Sequence, residues 1–591
     1  TIQYMSNASL ELGGDNWAAK DTKLLASTVS DDSGRFYPRE FTFARGSNLS
    51  ATRVNEDGLI EKGYENLLLN SNLFDNGGVA PTIWQKGQNI VTGGQAGYDG
   101  TNDAWLIDKQ NTSGTYIAQG ISKTGVHTIS LYAKAGSLKH MVIWASGGDV
   151  EEASFLLEGD GSITRTFNTP SASIQRVGAS DWYRCEIVVL DTSQIRIYPA
   201  SSGSSVSGTL GNIYIQDAML NQGLAALPYI ESGASTAKAG ILENEPRIDY
   251  SSGTASLLLE PQRTNLITQS EYIAGLSIAS SATLSLESEA NPSGGGFAYK
   301  VTATEVSSRV QRSIGTQGSN FVFSGFFKGS GAATRIRFRN NQGEGVFYNI
   351  DANGAFTLYS ENAVNDNYGI EDYGNGWHRI FFETTTSNSS VNYAQVYCDV
   401  LDGDGSVLAW GLQAEQGSYP TSYIPTYGTS QTRADDFGNN NNILAKPVAF
   451  GANDDFTFYY EGSFDKDGNN GMVFGGGAAG SGADYKNYLW LTASGMLLKG
   501  TSETSMASTT FNQVKNTNYK LLVKRDGSRI DFFINGTKIP TTQASTNTAF
   551  TLRSVGWSYS NTVYQISGNI KQFKALPTAL TDNECIELTT I

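Results

Sequence analysis

The chain has 591 residues, of which 39% are hydrophobic and 17% charged, with 65 Gly, 29 Tyr and a formal net charge of −16. That length asks for about three to five domains, and the Gly-, Ser- and Tyr-rich composition describes a folded, turn-rich β protein rather than a disordered one. The acidic balance argues against sequence-independent binding to nucleic acid or to an anionic membrane surface, and no stretch approaches the roughly 18–20 apolar residues that would span a bilayer.

Residues 1–62 read as an N-terminal anchoring segment. They open with Thr1-Ile2-Gln3, which has neither the basic nor the apolar region of a secretory signal, so a native start implies release by lysis. A duplication follows. Asn66, Leu67, Leu68 and Ser71 match Asn265, Leu266, Ile267 and Ser270 at a shift of 199. The shift then settles near 195, with Lys134 against Lys328, Trp182 and Arg184 against Trp377 and Arg379, and Tyr229 and Ile230 against Tyr423 and Ile424. A near-constant shift over such a span means two copies of one domain, 63–235 and 263–430, separated by a β-rich connector, 236–262.

Within the first copy, HTISLYAKAG (127–136) alternates Ile129, Leu131 and Ala133 against Ser130, Tyr132 and Lys134, the period of a half-buried strand. KHMVIWASGG (139–148) sets Trp144 beside His140 and Val142, opposite Met141 and Ile143. Trp144 can therefore line a concave sheet surface beside Tyr132, with packing in the core or at a domain interface as the alternative. The counterpart NFVFSGFFKGSG (320–331) alternates Phe321, Phe323 and Phe327 against Ser324, Phe326 and Lys328. Asp160-Gly161, Asn353-Gly354, Asp526-Gly527 and Asn535-Gly536 punctuate such runs with tight turns, predicting antiparallel two-sheet sandwiches throughout.

A different β domain is expected over 431–591. In NYKLLVKRDGSRIDFFINGTKI (518–539), Tyr519, Leu521 and Val523 define a core face shared with Ile530, Phe532 and Ile534 across a hairpin. Tyr485, Tyr488, Trp490 and Trp557 concentrate aromatic surface there, Tyr488 and Trp490 on one strand face. Thr581, with Glu584 three residues on, signals the cap of a short terminal helix.

Catalytic chemistry finds little support. The chain holds three histidines, His127, His140 and His378, and the first and third align with aromatic positions of the other copy, Phe321 and Tyr183. A nucleophile elbow, a zinc-protease motif and a P-loop are all missing. Two glycosidase carboxylates can come from anywhere in the chain, so that chemistry is harder to exclude. Cys185, Cys398 and Cys585 match no metal spacing and read as buried thiols. Asp399, Asp402 and Asp404 fail the EF-hand template, since Val400 and Gly411 fall where its first and last ligands belong. No cofactor or metal site is expected, with structural calcium from distant loop oxygens left open. Sugar rings stack their C–H faces on Tyr or Trp, so Tyr132, Trp144, Tyr488 and Trp490 are the candidate carbohydrate-binding residues.

Three segments carry a resemblance: GLQAEQGSYPTSYIPTYGTSQTRADDF (411–437), GILENEPRIDY (240–250) and LLLEPQRTNLITQSEY (257–272). They resemble virion proteins of tailed bacteriophages with jelly-roll domains similar to carbohydrate-binding modules. FYPREFTFARGSNLSATRVNEDGLIEKGYENLLLNS (36–71) is similar to the segment preceding such domains in phage fibre, spike and head-decoration proteins, and residues 455–591 resemble concanavalin-like, or laminin-G-like, lectin sandwiches. In the first copy Asn221-Gln222-Gly223 stands where the second has Glu415-Gln416-Gly417, which puts equal binding by the two copies in doubt.

The resemblance implies an all-β chain of tandem jelly-roll β-sandwiches plus a C-terminal concanavalin-like β-sandwich. It also implies a non-enzymatic virion appendage that attaches to bacterial surface glycans, contacts other virion proteins and assembles as a homo-oligomer, a trimer. Residues 1–62 are expected to dock on the particle, with 455–591 pointing outward. The alternatives are a capsid or tail decoration protein without glycan binding and a capsule depolymerase.

Overall fold

The computed structural model describes residues 8–14, 17–20, 23–26, 39–43, 45, 49–75, 83–203, 205–279, 281–305, 308–331, 333–364, 367–385, 391–400, 405–436, 443–465, 471–476, 487–500, 505–556 and 565–591. Regular structure is almost entirely antiparallel β, ending in the α-helix Asp582–Thr589. The expected cap is present there: the Thr581 side chain accepts from Glu584 N while the Glu584 side chain accepts from Thr581 N.

The first sandwich has a six-stranded sheet in the order Ala172–Arg176, Trp182–Leu190, Val126–Ala135, Gly211–Gln222, Ala104–Lys109, Asn89–Gln95. Its second sheet runs Ile117–Gly120, Gln194–Ala200, His140–Ser146, Val150–Leu156, Ser162–Phe167. Ile129, Leu131 and Ala133 from one sheet meet Met141, Ile143 and Ala145 from the other, because the period-two alternation turns each set inward.

The second sandwich repeats the order. Tyr368–Asp372, Trp377–Thr385, Asn320–Gly329, Ser406–Gln416, Ala298–Thr302 and Thr283–Glu287 form one sheet. Arg309–Gly315, Asn392–Val400, Thr334–Asn340, Gly345–Ile350 and Phe356–Glu361 form the other, with an added edge strand, Ser277–Ala279. Phe321, Phe323 and Phe327 lie in its core.

The residues that recur in both copies are clasps at the root of each sandwich. Asn66 Nδ2 donates to the carbonyls of Ala218 (3.2 Å) and Ile230 (2.9 Å), as Asn265 Nδ2 does to those of Leu412 (3.1 Å) and Ile424 (2.9 Å). Ser71 and Ser270 meet the Tyr229 and Tyr423 hydroxyls at 2.8 and 2.6 Å. A buried amide pays its desolvation only when its donors and acceptor are all satisfied, which explains why Asn stands at this point in each copy. The two sandwiches abut closely where Gly125 (φ +89°) faces Tyr427, and a Cβ there would lie 1.3 Å from the Tyr427 carbonyl oxygen.

The third sandwich corrects the expected polarity. One sheet orders Ile248–Asp249, Ser256–Leu259, Gly568–Leu576, Phe456–Phe464, Tyr519–Asp526, Arg529–Ile534 and Thr537–Ile539, with Leu10–Gly13 also paired to Gly568–Leu576. The facing sheet begins with Ala18–Lys20, Lys23–Ala26 and Arg39–Thr42, then continues into Ile443–Phe450 and Phe550–Val555. Leu10, Leu12, Leu24 and Phe41 share one core with Phe458, Val523 and Phe573. The N-terminal segment and the connector are therefore built into the C-terminal sandwich. Leu10–Gly13 lies along Gly568–Leu576, so the described strands of the N-terminal segment and the C-terminal sandwich do not point in opposite directions.

An ionic cluster ties these parts to the second sandwich. Arg45 and Arg247 both pair with Asp436, and Arg247 and Arg433 both reach Glu260 at 2.8 Å. All of these side chains are at most 4% exposed. Burial alone would raise the Glu260 pKa, yet Arg433, Arg247 and hydrogen bonds from Ser422 hold it at about 2.

Candidate functional site

The structure separates Tyr132 from Trp144. Tyr132 lies on the outer face of the six-stranded sheet and Trp144 on the outer face of the five-stranded one, with the core between them. The expectation that they line one surface is corrected: the chain crosses from one sheet to the other between Ala135 and His140, so equal outward phase on the two strands means opposite sides of the sandwich.

Trp144 is partly exposed, with His140 and Val142 on its face as the alternation predicts. Its partner across the sheet is Arg196, whose guanidinium carbon sits 4.1 Å from the Trp144 ring centroid and 4.5 Å from that of Tyr116. Arg196 Nε donates to Gln194 Oε1 at 2.7 Å, and Tyr116 packs edge-on to Tyr198 at 5.0 Å. On the next strand Glu152 stands across from Trp144 and pairs with Arg165 at 3.1 Å. A planar cation between two rings fixes both aromatic planes, and the result is a rigid aromatic platform with hydrogen-bonding groups around it.

The same face of the second sandwich is built from different residues at matching positions. The pair Val142–Tyr198 becomes Arg337–Tyr397, and Trp144–Arg196 becomes Arg339–Gln395. Arg309, Arg337 and Arg339 lie 5.2, 5.6 and 4.6 Å from the Tyr397 ring, and Arg335 lies 3.6 Å from Tyr359. Asp399 occupies the register position opposite Arg335, whereas Asp402 and Asp404 lie outside the described residues.

The other predicted aromatics are less available. One ring face of Tyr132 is covered by Tyr98, stacked at 3.6 Å and 12°. Tyr488 is 1% exposed, which withdraws its ring from any sugar; Leu489 and Leu491 face the core and Tyr488 lies on the opposite side of the strand. Trp490 is partly exposed and meets Tyr488 edge-on at 6.1 Å. Tyr485 and Trp557 lie outside the described residues. The motif pair Trp182 and Trp377 is buried, at 4% and 1% exposure.

A cleft of about 770 Å³ opens where three units meet. Residues 52–60 and 249–260 form one wall, 367–381 and 419–423 of the second sandwich another, and 463–465, 515–516 and 569 of the C-terminal sandwich the third. Asp465 Oδ2 accepts from Ser567 Oγ at 2.6 Å. Burial, followed by the charge of Glu260, pushes its carboxyl up to about 7. Burial also raises Glu371 against the pull of Arg379, and takes the Tyr419 hydroxyl to about 12. Arg379, 4% exposed, donates from Nη2 to Thr421 O at 2.7 Å, while its Nε finds no partner among the described residues.

His127 is fully buried, and burial lowers its pKa to about 4; its Nδ1 lies 2.9 Å from Gly125 O. The three cysteines are buried thiols outside any disulfide among the described residues. Among the described residues no group of three or more His, Cys, Asp or Glu side chains is placed to hold a metal ion. Sequence reasoning missed Arg196 and Tyr116, although Gln194, Arg196 and Tyr198 alternate with Ile195 and Ile197 and so signal an outward polar face. The cleft left no linear signal because its walls come from separate stretches of chain.

No protein-family model matches the chain, and none of the curated proteins matches it. Among solved structures, the CBM40 domain of the Ruminococcus gnavus IT-sialidase bound to α2,3-sialyllactose is 17% identical, with 24% of this chain and 84% of that one covered and a TM-score of 0.21. The tandem CBM22 domains of Paenibacillus barcinonensis Xyn10C are 9% identical, with 57% and 94% covered and a TM-score of 0.18. The LG1-3 region of the laminin α2 chain is 11% identical, with 78% and 95% covered and a TM-score of 0.17. The fold assignment rests on the strand orders given above.

Proposed function

We propose that this chain is a non-enzymatic appendage of a tailed-phage virion that binds bacterial surface glycans through the outer face of the first sandwich's five-stranded sheet. One observation carries the reading: Arg196 is clamped between Trp144 and Tyr116 on a partly exposed face, so the rings are held in place before any ligand arrives. A preorganised aromatic platform loses little entropy on stacking a sugar ring, and the flanking Gln194 and Glu152 meet hydroxyls. Shallow sites of this kind bind weakly one at a time, which favours action as a homo-oligomer, a trimer, on the particle surface. The phage assignment comes from the sequence resemblance at 36–71, 240–250, 257–272 and 411–437.

Glycan-array binding of the full chain tests the reading. Trp144→Ala is expected to lower binding to host polysaccharide at least tenfold while the melting temperature stays within a few degrees. Unchanged binding would overturn the assigned face, and new reducing ends on the polysaccharide would replace binding with depolymerisation.

A further inference from the structure

The cleft between the second and third sandwiches shares no lining residue with the Trp144 platform, and the glycan reading does not use it. Ligand pockets favour junctions between domains, and those for small molecules span about 300–1,000 Å³ with a few convergent polar groups on an otherwise aromatic and apolar lining. This cleft fits that description in size and position, with a lining more polar than most. Tyr250, Tyr373, Phe381 and Tyr419 supply rings, and Asn375, Asn516 and Asn569 supply amides. Arg379, almost fully buried in its wall, keeps one guanidinium N–H without a partner.

Charge narrows the ligand. Asp57, Asp249, Glu260, Glu371, Asp372 and Asp465 line the cleft against Arg53, Arg379 and Lys515. Two of these groups are already committed: Arg53 pairs with Glu61 at 2.8 Å, and Glu260 is held by Arg247 and Arg433. Asp249 accepts from Val54 N at 2.7 Å and from Ser251 N at 2.9 Å, so it spans the wall instead of standing free. Glu371 lies 3.9 Å from Arg379, Asp372 accepts from Gly374 N at 2.8 Å, Asp465 accepts from Ser567 Oγ at 2.6 Å and Lys515 Nζ donates to Asn367 Oδ1 at 2.8 Å; even so, the carboxyls of Asp57, Glu371, Asp372 and Asp465 outnumber the cations of Arg379 and Lys515. A carboxylate-bearing sugar entering here meets like charge in a partly dehydrated site, whereas hydroxyls or an ammonium group meet acceptors.

We propose that this cleft is a second saccharide site, taking a short oligosaccharide that is neutral or amine-bearing and excluding uronic or sialic acids. It is independent of the Trp144 face and shares with the reading above only the general class of ligand. The SYPTS turn (418–422), conspicuous in the sequence, then has two jobs: its Ser422 holds Glu260, and its Tyr419 walls the cleft.

The test uses the full chain in isothermal titration with three probes: trimers of glucosamine, of N-acetylglucosamine and of galacturonic acid. Binding of at least one of the first two, and not of the third, is expected. Ser252→Trp, at an exposed position on the cleft wall, blocks entry without removing a core side chain, and Asp465→Asn replaces a carboxyl that burial pushes up to about 7 by an amide of nearly the same shape, removing its charge above that pH. Each variant is expected to weaken that binding tenfold or more at an unchanged melting temperature, with Trp144→Ala leaving it intact. No binding of either non-acidic trimer at millimolar concentration would overturn the proposal, as would binding that survives both cleft variants. Loss with Trp144→Ala alone would assign the ligand to the sheet face and likewise overturn it.

Discussion

Asp217 and Gly411 stand at the same β-bulge of the two sandwiches, both with left-handed backbone, φ 56° and 61°. The bulge shifts register opposite Ser130 and Tyr132 in one copy and opposite Ser324 and Phe326 in the other. Glycine meets the conformation without cost, while a side chain there costs roughly 1–2 kcal/mol. In the first copy Asp217 is retained with its Oδ2 accepting from the Tyr98 hydroxyl at 2.9 Å, and Tyr98 in turn stacks on Tyr132. Burial, then the nearby charges of Asp103, Asp99 and Glu231, push its carboxyl up to about 7 against the lowering effect of the Tyr98 hydrogen bond.

Asp217→Asn is therefore expected to stabilise the protein above pH 7. Asn tolerates the left-handed region, keeps an acceptor for Tyr98 and carries no charge to desolvate. The gain should be on the order of 1 kcal/mol at pH 8, shrink as the pH falls from about 7, and vanish near pH 3.5, below the ordinary carboxyl value of 3.8, where folded and unfolded chains are both protonated. Equal shifts in melting temperature at both pH values would show that charge burial is not the cause.

Glu151 gives a second pH dependence. It is 3% exposed, both its oxygens accept from Leu190 N (3.0 and 2.8 Å), and burial raises it to about 7. A raised carboxyl pKa means that the folded state holds a proton the unfolded chain releases between its ordinary value of 4.5 and 7, so stability falls as pH rises through that window. Glu260 has the opposite sign: with its pKa held at about 2, its contribution is present above 4.5 and lost only as the pH falls toward 2. Maximum stability near pH 5 is expected in a series of thermal melts, and Glu151→Gln should flatten the decline toward pH 8. A wild-type maximum above pH 8 would contradict this balance.

The buried ionic cluster predicts a large effect from a small change. Asp436→Asn leaves Arg45, Arg247 and Arg433 facing Glu260 alone, and breaking a buried pair on one side costs about 3–5 kcal/mol. Urea unfolding should show that loss, together with faster proteolysis near Arg45. A cost below about 1 kcal/mol would mean that the cluster contributes little to joining the sandwiches.

These arginines and carboxylates lie within the segments that carry the sequence resemblance, and they turn out to be joints: Arg247 and Glu260 in the connector, Arg433 and Asp436 after the second sandwich. Local signals were legible where the physics is local. The alternation at 127–136 and 518–539 places its apolar positions in cores, Asn535 and Gly536 both take the positive φ of a tight hairpin, and Thr581 caps its helix. Partners far apart in the chain were not legible. Leu10 pairs with Ala575, and no spacing within a four-residue strand can announce a neighbour at the other end of the protein. The Arg196 platform was half legible, since Trp144 stood out by type whereas Arg196 came into view only through cross-strand register.

The pairing of Leu10–Gly13 with Gly568–Leu576 sets the last prediction. Removing residues 1–45 strips Leu10, Leu12, Leu24 and Phe41, each at most 1% exposed, from the core of the C-terminal sandwich. At about 1.5–3 kcal/mol per buried side chain the loss approaches the whole stability of a typical domain. The truncation also takes away Leu10–Gly13, uncovering part of the edge of Gly568–Leu576, and unpaired edges next to apolar surface promote aggregation. The truncated chain is expected to aggregate or to melt without cooperativity in the C-terminal sandwich, read by size-exclusion chromatography and scanning calorimetry. A monodisperse protein whose C-terminal transition falls within a few degrees of the intact chain would show that the N-terminal strands are a dispensable attachment.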